Sequence, residues 1–246
     1  MSKVVILAGG KGLRFGEETK KKPKPLINVG PSPLIWYIMN HYNNYNLKDF
    51  IVLAGYKYLN FVKEFKKKKY SNWKIDLINT GLNTETGGRL LKAKNNILNT
   101  SRDRHFFLTY GDGLSNVNIN DTLKIFKKKN LIGLVTIVKP PARFGLVKIG
   151  KNQKVISFKE KYKKDSGWIN GGFFIFDKNI FKFISKKNNT VFEKKPLENL
   201  VKKRQLIAYK HESFWQCCDN QKDLDILNLM FKKKLSIFSR TKIFRN

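Results

Sequence analysis

The stretch from residue 7 to residue 14 carries residue types that suit phosphate binding. It follows an apolar run, residues 4–7, that predicts a buried strand. Its glycines are Gly9, Gly10 and Gly12. Glycines let backbone N–H groups come close to phosphate oxygens, and Arg14 adds a guanidinium fork that suits the same oxygens. The spacing matches neither the Walker loop nor Gly-x-Gly-x-x-Gly. We predict a triphosphate site here; a purely structural glycine turn is the alternative.

Lys24 is the second candidate, because it stands between two prolines in a chain rich in lysine. Pro23 and Pro25 stiffen the backbone on either side of it. A lysine held in this way is a better positioned charge than one in a flexible run. We predict that Lys24 belongs to the phosphate site, against the alternative of a solvated surface lysine.

A second glycine pair occurs in the segment Thr84-Glu85-Thr86-Gly87-Gly88-Arg89, directly before a predicted helix. Small residues at this point would let a flat base lie against the backbone. Arg89 is notable because the chain uses few arginines. A turn followed by a helix cap explains the same residues equally well, so the segment leaves both interpretations open.

Two aspartates suit magnesium. Asp112 lies between Gly111 and Gly113, after an apolar strand, and Asp219 follows a later strand. Magnesium is bound through one or two carboxylates together with phosphate oxygens and water. We therefore predict Mg²⁺ as the cofactor, with Asp112 and Asp219 as its ligands. Turn-forming aspartates are the alternative.

A carboxylate, a cation and an amide occur close to a third glycine pair. These residues are Glu160, Lys161, Asn170 and Gly171. Carboxylates and amides bind hydroxyl groups, and a lysine pairs with phosphate, so the set suits a sugar phosphate. The three histidines are scattered, which disfavours a Ser-His-Asp triad or a histidine metal site.

The segments that must position these residues alternate between strand and helix patterns. Strands are predicted near residues 3–8, 49–54, 74–78, 105–109 and 132–138. Helices are predicted near residues 33–46, 58–68, 88–98 and 119–129. Further strands are expected at 144–149, 154–158, 172–177 and 205–210, with helices at 178–185, 193–203 and a last amphipathic one around 224–231. The pattern predicts an α/β fold: a single domain, residues 1–235, with a mostly parallel mixed sheet and helices on both faces, followed by a tail at 236–246.

The net charge of the chain suggests a class of protein that its composition disfavours. The 246 residues carry a formal net charge of +32, which is typical of nucleic-acid-binding proteins. However, 42 of the 50 basic residues are lysine, and 25 asparagines accompany only five alanines. Base-reading proteins depend on arginine. We expect a solvated lysine surface and no specific nucleic-acid partner.

The remaining composition predicts a cytoplasmic protein. No stretch approaches the length of a membrane span, and no secretory signal pattern opens the sequence. The two cysteines, Cys217 and Cys218, are adjacent and are expected to be reduced thiols.

Taken in order, these motifs resemble those of the sugar nucleotidyltransferases, and among them the cytidylyltransferases that act on glucose 1-phosphate. The similarity extends from residue 3 to about residue 233. Its motifs are Val5-Ile6-Leu7-Ala8-Gly9-Gly10, Glu17-Glu18-Thr19, Lys22-Pro23-Lys24-Pro25, Thr86-Gly87-Gly88-Arg89-Leu90, Thr109-Tyr110-Gly111-Asp112-Gly113, Arg143-Phe144-Gly145, Ile169-Asn170-Gly171-Gly172-Phe173-Phe174 and Phe214-Trp215-Gln216.

The resemblance implies a Rossmann-like nucleotidyltransferase domain that uses CTP and a sugar 1-phosphate to make a CDP-sugar and pyrophosphate, for surface-polysaccharide or deoxysugar synthesis. It implies that Arg14 and Lys24 are catalytic. The nucleotide would contact Leu7, Ala8, Gly9, Gly10, Gly12, Thr86, Gly88, Arg89, Tyr110 and Gly111. The sugar phosphate would contact Glu160, Lys161, Asn170 and Gly171, and Asp112 and Asp219 would hold Mg²⁺.

Three alternatives remain open. The first is the same fold with another nucleotide or another sugar phosphate. The second is a basic nucleic-acid-binding protein, and the third is a catalytically silent relative. A homo-oligomer is expected. However, the segment at 69–79 is shorter than the corresponding segment of the glucose-specific enzymes, where an insertion is associated with subunit contacts.

Overall fold

The centre of the molecule is a seven-stranded sheet. The computed structural model describes residues 2–99, 103–139, 146–149, 154–159, 167–185 and 187–234. The strands of the sheet are β1 (Val4–Ala8), β4 (Asp49–Ala54), β5 (Lys74–Asn79), β6 (His105–Tyr110), β8 (Gly133–Val138), β11 (Ile169–Asp177) and β12 (Leu206–His211). The six other strands form three short pairs: β2 (Asn28–Val29) with β3 (Ser32–Pro33), β7 (Gly113–Ser115) with β13 (Trp215–Cys217), and β9 (Leu146–Ile149) with β10 (Val155–Lys159).

The central sheet is mixed but mostly parallel. Its spatial order is β12-β8-β11-β6-β1-β4-β5, and β11 alone runs antiparallel to both of its neighbours. β1 pairs in parallel with β4 on one side and β6 on the other, so that Leu7 lies opposite both Leu53 and Tyr110. The α/β fold with a mostly parallel mixed sheet is therefore confirmed.

Helices cover both faces of this sheet. They are α1 (Glu17–Lys21), α2 (Leu34–Asn43), α3 (Tyr58–Phe65), α4 (Thr86–Lys92), α5 (Lys94–Asn99), α6 (Ile119–Lys129), α7 (Lys195–Lys202) and α8 (Gln221–Lys232). Alternate residues of β1 enter two separate cores, because side chains alternate between the faces of a strand. Val4 and Ile6 pack with α2, α3, α6 and α8, whereas Val5 and Leu7 pack with α4, α5 and α7.

Some predicted helix boundaries are wrong for identifiable reasons. The helix expected at 33–46 begins at Leu34, because Ser32 and Pro33 pair with β2 in extended conformation. The helix expected at 88–98 is two helices that meet at Ala93, where ψ is 3°. The segment expected to be helical at 178–185 is a 3₁₀ helix, Lys178–Phe183. Asp177 caps its start, because the carboxylate of Asp177 accepts a hydrogen bond from the Asn179 N–H.

The four adjacent parallel strands β6, β1, β4 and β5 end at the same edge of the sheet. Ligands of open α/β sheets bind at this carboxyl edge. In the described part of the chain, no helix is long and apolar enough to cross a bilayer. The predicted tail at 236–246 lies outside the described residues.

Candidate active site

The glycine segment and the Asp112 loop are neighbours because they follow the paired strands β1 and β6. The Gly111 N–H donates to the Leu7 carbonyl at 3.0 Å. A Cβ atom on Gly111 would lie 2.8 Å from Cγ of Pro25, so a glycine is needed for the Lys24 segment to pack here. The glycine segment and the Lys24 segment, both predicted to bind phosphate, therefore contact the predicted metal-binding loop at Gly111.

The glycine segment turns back toward α1 through two residues with positive φ. Gly12 has φ of 65° and Gly16 has φ of 62°, a conformation that favours glycine. The hydroxyl of Thr19 donates to the carbonyls of both, at 3.3 Å and 3.0 Å. These bonds fix the loop that carries Arg14, whose side chain is 83% exposed and lies with Nη1 3.9 Å from an Asp219 carboxylate oxygen.

Lys24 joins the two predicted metal ligands. Its ammonium donates to Oδ2 of Asp112 at 2.7 Å and to Oδ1 of Asp219 at 2.6 Å. A 3₁₀ helix, Lys24–Leu26, holds its backbone between Pro23 and Pro25. Burial opposes its charge, but the two carboxylates outweigh burial and raise the pKa of Lys24. Burial likewise opposes the charge of Asp219, but the bond from Lys24 prevails and lowers the pKa of that carboxyl.

The pairing of β7 with β13 brings Asp112 and Asp219 together across more than a hundred residues of sequence. Gly113 lies opposite Cys217 in this pair, and the Cys218 N–H donates to the Asp112 carbonyl at 2.9 Å. Asp223, on the first turn of α8, accepts from the Asp219 N–H at 2.9 Å and fixes the second loop. The site therefore depends on a contact between two short strands that sequence periodicity does not reveal.

Two cavities open on either side of this charged cluster. The first cavity, of about 600 Å³, is lined by Leu7, Ala8, Gly9, Gly10, Lys11, Gly12, Lys24, Pro25, Leu82, Asn83, Thr84, Glu85, Thr86, Arg89, Tyr110, Gly111, Asp112 and Asn189. The second cavity, of about 760 Å³, is lined by Arg14, Thr109, Tyr110, Asp112, Gly113, Ile169, Asn170, Gly171, Gly172, Phe173, Glu193, Trp215, Cys217 and Asp219. Tyr110 and Asp112 line both cavities, so two bound molecules would meet beside Asp112.

The predicted sugar-phosphate residues are only partly described. Asn170 and Gly171 line the second cavity. The Asn170 amide donates to the Tyr110 hydroxyl at 3.3 Å, and the Gly171 carbonyl accepts from the Trp215 indole at 2.7 Å. Glu160, Lys161 and the motif at 143–145 lie outside the described residues.

The second glycine pair contacts the protein's own chain. Added Cβ atoms would lie 2.7 Å from the Thr190 carbonyl at Gly87 and 2.4 Å from the Asn188 carbonyl at Gly88. The Gly87 N–H donates to Thr190 at 2.8 Å. The space over this pair is thus filled by residues 188–190, whereas Thr86 and Arg89 line the first cavity.

Glu193 is a site residue that sequence reasoning missed. One carboxylate oxygen accepts from the Tyr110 hydroxyl at 2.7 Å and the other accepts from the Thr86 hydroxyl at 2.6 Å. Burial and the carboxylate of Glu193 both raise the pKa of Tyr110, so its hydroxyl stays a donor. Glu193 stands among lysines just before α7, and no local pattern distinguishes it from a surface residue. Asn189, which lines the first cavity, was missed for the same reason.

The donor set fits a hard divalent cation. Asp112 and Asp219 offer carboxylate oxygens that already share one cation, the ammonium of Lys24. Both side chains are about one-third exposed, at 31% and 29%, so phosphate oxygens and water can complete a coordination sphere. Asp112 lines both cavities, and Asp219 lines the second.

Comparison with known proteins agrees with this arrangement. The chain is 36% identical to a probable glucose-1-phosphate cytidylyltransferase of Bacillus subtilis, over 94% of this chain and 96% of the relative. It is 35% identical to the glucose-1-phosphate cytidylyltransferase of Salmonella typhimurium, with the same two coverages. A more distant relative, 28% identical over 80% of this chain and 86% of its own length, is the D-glycero-alpha-D-manno-heptose 1-phosphate guanylyltransferase of Campylobacter jejuni.

Solved structures and a family model complete the comparison. The crystal structure of HddC from Yersinia pseudotuberculosis superposes with a TM-score of 0.72 at 22% identity, covering 94% of this chain and all of that one, which supports the fold. The family model for nucleotidyl transferases matches residues 3–223. Enzymes of that family generally use a divalent metal ion. With the family model covering most of its length, the chain belongs to the nucleotidyl transferase family.

Proposed function

We propose that this protein transfers the cytidylyl group of CTP to glucose 1-phosphate, giving CDP-glucose and pyrophosphate. The observation that carries the proposal is the pair of cavities that meet at Asp112, beside Lys24 and Asp219. A transfer between two phosphate compounds needs two such compartments with cations at their junction. The two cytidylyltransferases at 35–36% identity supply the choice of substrates.

CTP occupies the first cavity in this proposal. The backbone N–H groups of the glycine loop bind the triphosphate, and Lys11 and Lys24 line the same cavity. The base and ribose then lie toward residues 82–86 and Asn189. The cytosine amino group is a donor, and the carboxylate of Glu85 and the carbonyls of this segment are suitable acceptors.

Glucose 1-phosphate occupies the second cavity. Asn170 and Glu193, which line this cavity, offer partners for sugar hydroxyls. Lys161 and Glu160 are proposed from the sequence to bind the phosphate and a hydroxyl. Arg14, which also lines this cavity, places a second cation near the phosphate.

The reaction is a displacement at phosphorus. A phosphate oxygen of glucose 1-phosphate forms a bond to the α-phosphorus of CTP, while the bond from that phosphorus to the bridging oxygen of the β-phosphate breaks. The bonding electrons leave with pyrophosphate. Because the attacking phosphate is already ionised near pH 7, no general base is required. Lys24 and Arg14 stabilise the charge that develops on the α-phosphoryl oxygens.

We assign Mg²⁺ to Asp112 and Asp219. When bound, the ion neutralises phosphate charge and orients the α-phosphoryl group. Asp112 and Asp219 would hold the ion, and Lys24, which contacts the same two carboxylates, would lie beside the α-phosphate. The proposed homo-oligomer and the use of CDP-glucose for polysaccharide or deoxysugar synthesis follow from the resemblance alone.

Another nucleotide or sugar is the second candidate. The heptose 1-phosphate guanylyltransferase has a related sequence, 28% identical over 80% of this chain, so a sequence of this kind is compatible with another nucleotide and another sugar phosphate.

A substrate matrix tests the proposal. Purified protein with Mg²⁺ is combined with each of the four ribonucleoside triphosphates and dTTP against glucose 1-phosphate, mannose 1-phosphate and a heptose 1-phosphate, and pyrophosphate release is measured. CTP with glucose 1-phosphate should give the highest kcat/KM. The Asp112→Asn protein serves as the inactive control.

The outcomes separate the two levels of the proposal. Pyrophosphate release from another pair only would retain nucleotidyl transfer and reject the substrates named here. No release from any pair would reject the enzymatic proposal itself.

A further inference from the structure

Arg89 donates hydrogen bonds to backbone carbonyls at the carboxyl ends of three adjacent strands. Its side chain reaches from α4 and is buried, with 4% of the residue exposed. Nη2 donates to the Gly9 carbonyl after β1 at 2.9 Å, and Nη1 donates to the Gly81 carbonyl after β5 at 2.9 Å. Nη1 also lies 3.4 Å from the carbonyl of Ala54, the last residue of β4. One guanidinium thus connects the ends of β1, β4 and β5.

Two glycines leave room for this guanidinium. A Cβ atom on Gly9 would lie 2.0 Å from Nη1 of Arg89, and one on Gly55 would lie 2.4 Å from the same atom. Contacts this short are impossible, so any larger residue at either position would displace Arg89. The glycine at position 9 is therefore required by the arginine beneath it.

The contact with Arg89 sets the direction of one peptide unit in the phosphate loop. The Gly9 carbonyl accepts from Arg89 and also from the Tyr56 N–H at 3.1 Å, so two donors hold it. The described residues contain no cis peptide bond, and in a trans peptide the N–H points opposite to the carbonyl. The Gly10 N–H therefore points away from Arg89. Gly10 is exposed, and no atom lies within 4 Å of the position of its missing Cβ.

The acceptors of Arg89 are all neutral. Within the described ranges, no carboxylate lies in ion-pair distance of its guanidinium, and its partners are three carbonyls and the Thr80 hydroxyl. Burial lowers the pKa of Arg89, and the nearby charge of Glu85 opposes that shift. A buried cation without a close counter-ion lies directly under a loop whose open side faces the first cavity. That arrangement favours an anion on the open side.

We propose that Arg89 is a positioning residue for the triphosphate: it holds the Gly9–Gly10 peptide with its N–H toward the first cavity and acts on the phosphates through the loop, without reading the base. The inference rests on the proposed function in assigning the first cavity to a nucleoside triphosphate. It replaces the expectation that Arg89 faces cytosine with a role exerted through the backbone.

The test compares ligands with and without the triphosphate. Dissociation constants for CTP, cytidine and inorganic tripolyphosphate are measured by calorimetry for the native protein and Arg89→Lys. Lysine retains the charge, but its donors are on a single nitrogen and cannot reproduce the planar fork whose two nitrogens bond to the Gly81 and Gly9 carbonyls. We expect affinity for CTP and tripolyphosphate to fall about 10- to 100-fold, as for loss of hydrogen bonds to charged groups, while cytidine affinity stays within about 3-fold.

Two further variants keep the test decisive if Arg89→Lys fails to fold. Gly55→Ala keeps the guanidinium but crowds its contacts, because the new Cβ atom would lie 2.4 Å from Nη1 of Arg89, 2.5 Å from the Gly81 carbonyl and 3.0 Å from the Gly9 carbonyl. Gly55 has no positive φ, so the variant should give the same pattern by disturbing the same bonds. Arg89→Ala should regain CTP affinity on addition of guanidinium ion at millimolar concentrations. Arg104→Lys is the matched control, because Arg104 is 82% exposed and pairs with Asp177 at the opposite edge of the sheet. Its CTP affinity and response to guanidinium should match those of the native protein.

Two results would overturn the inference. An equal loss of affinity for CTP and cytidine would show that Arg89 contacts the base. Unchanged affinity for tripolyphosphate in both Arg89→Lys and Gly55→Ala would show that the loop does not depend on Arg89. If the native protein binds tripolyphosphate at least as tightly as CTP, the choice of nucleotide in the proposed function fails while the test of the loop still holds.

Discussion

At the scale of single residues, Lys24 is the cation that pairs with both aspartates of the site. Its ammonium contacts two carboxylates at 2.6 Å and 2.7 Å, and its side chain is 12% exposed. A cation held this closely is mostly shielded from solvent, and it lies beside Asp112, which lines both cavities. In the function proposed above, the two carboxylates bind a metal ion and the lysine contacts a phosphate.

We expect Lys24→Met to reduce kcat about 100- to 1,000-fold, the usual effect of removing a group that stabilises transition-state charge. Methionine keeps the length of the side chain, so the fold should persist. Steady-state kinetics with CTP and glucose 1-phosphate measure the effect, and circular dichroism serves as the control for folding. A kcat within about 3-fold of the native value would remove Lys24 from the catalytic group.

Asp219 predicts a pH dependence of stability. Its folded-state pKa is below the ordinary value because Lys24 bonds to it in spite of burial. A carboxyl of this kind contributes stability above its unfolded pKa of about 3.9 and loses that contribution as the pH falls through the lower folded value. The raised pKa of Lys24 gives the complementary loss only in strongly alkaline solution.

The melting temperatures of the native protein and Asp219→Asn should therefore differ most between about pH 6 and pH 8 and converge below about pH 4. Differential scanning fluorimetry across this range measures the difference. Glu17→Gln is a suitable control, because Glu17 forms an exposed ion pair with Lys20. A difference that stays constant down to pH 3 would contradict a native ion pair at Asp219.

At the scale of elements, the segment 187–193 packs against the first turn of α4 and accepts hydrogen bonds from it. Its carbonyls accept from the N–H groups of Glu85 and Gly87, both at the start of α4, at 2.9 Å and 2.8 Å. Glu193 then ties Thr86 of α4 to Tyr110 of β6. The segment thereby links the walls of both cavities and closes a helix end that would otherwise expose free N–H groups.

We expect Gly88→Ala to destabilise the protein by about 1–3 kcal/mol, the usual cost of overpacking, because the new Cβ atom would lie 2.4 Å from the Asn188 carbonyl. Gly10→Ala is the matched control for stability, since its Cβ position has no neighbour within 4 Å. Urea unfolding of both proteins gives the comparison. Equal stability of Gly88→Ala and the native protein would mean that residues 188–190 move aside without cost.

At the scale of the whole molecule, the few cations of the site do not account for the net charge of +32. The cations of the proposed site are single residues: Lys24 and Arg89 are held by hydrogen bonds, and Arg14 is 83% exposed. The lysine runs at 66–69 and 127–129 lie at or after the ends of helices α3 and α6, where a positive charge suits the helix dipole. The excess of lysine therefore belongs to the surface.

We expect any binding of RNA to be weak and to disappear with salt. Affinity for a single-stranded 20-mer should fall at least about 100-fold between 50 mM and 300 mM NaCl, as for binding that depends on counterion release. Fluorescence anisotropy measures it, with CTP affinity in the same buffers as the reference. Tight RNA binding that persists at 300 mM salt would restore the nucleic-acid interpretation. The expected homo-oligomer stays a prediction, open to light scattering.

Sequence periodicity predicted the central strands well and the connections poorly. β1 is apolar throughout, and β4 and β6 each contain a continuous apolar run, so their buried positions were evident from composition. β7 and β13 have three residues each and owe their conformation to each other. The helix break at Ala93 and the extended Ser32–Pro33 likewise depend on packing and pairing outside the local window.

The sequence by itself determined which residue types were available for chemistry: glycines after β1, a lysine between prolines and aspartates after strands. Each of these is a local property, because strand ends and turn residues leave local patterns. The tertiary structure alone decided that Asp112 and Asp219 share the ammonium of Lys24, that Glu193 joins Thr86 to Tyr110, and that Arg89 supports Gly9 from below. These contacts join residues 80 or more positions apart, and only the order of strands in the sheet brings them within hydrogen-bond distance.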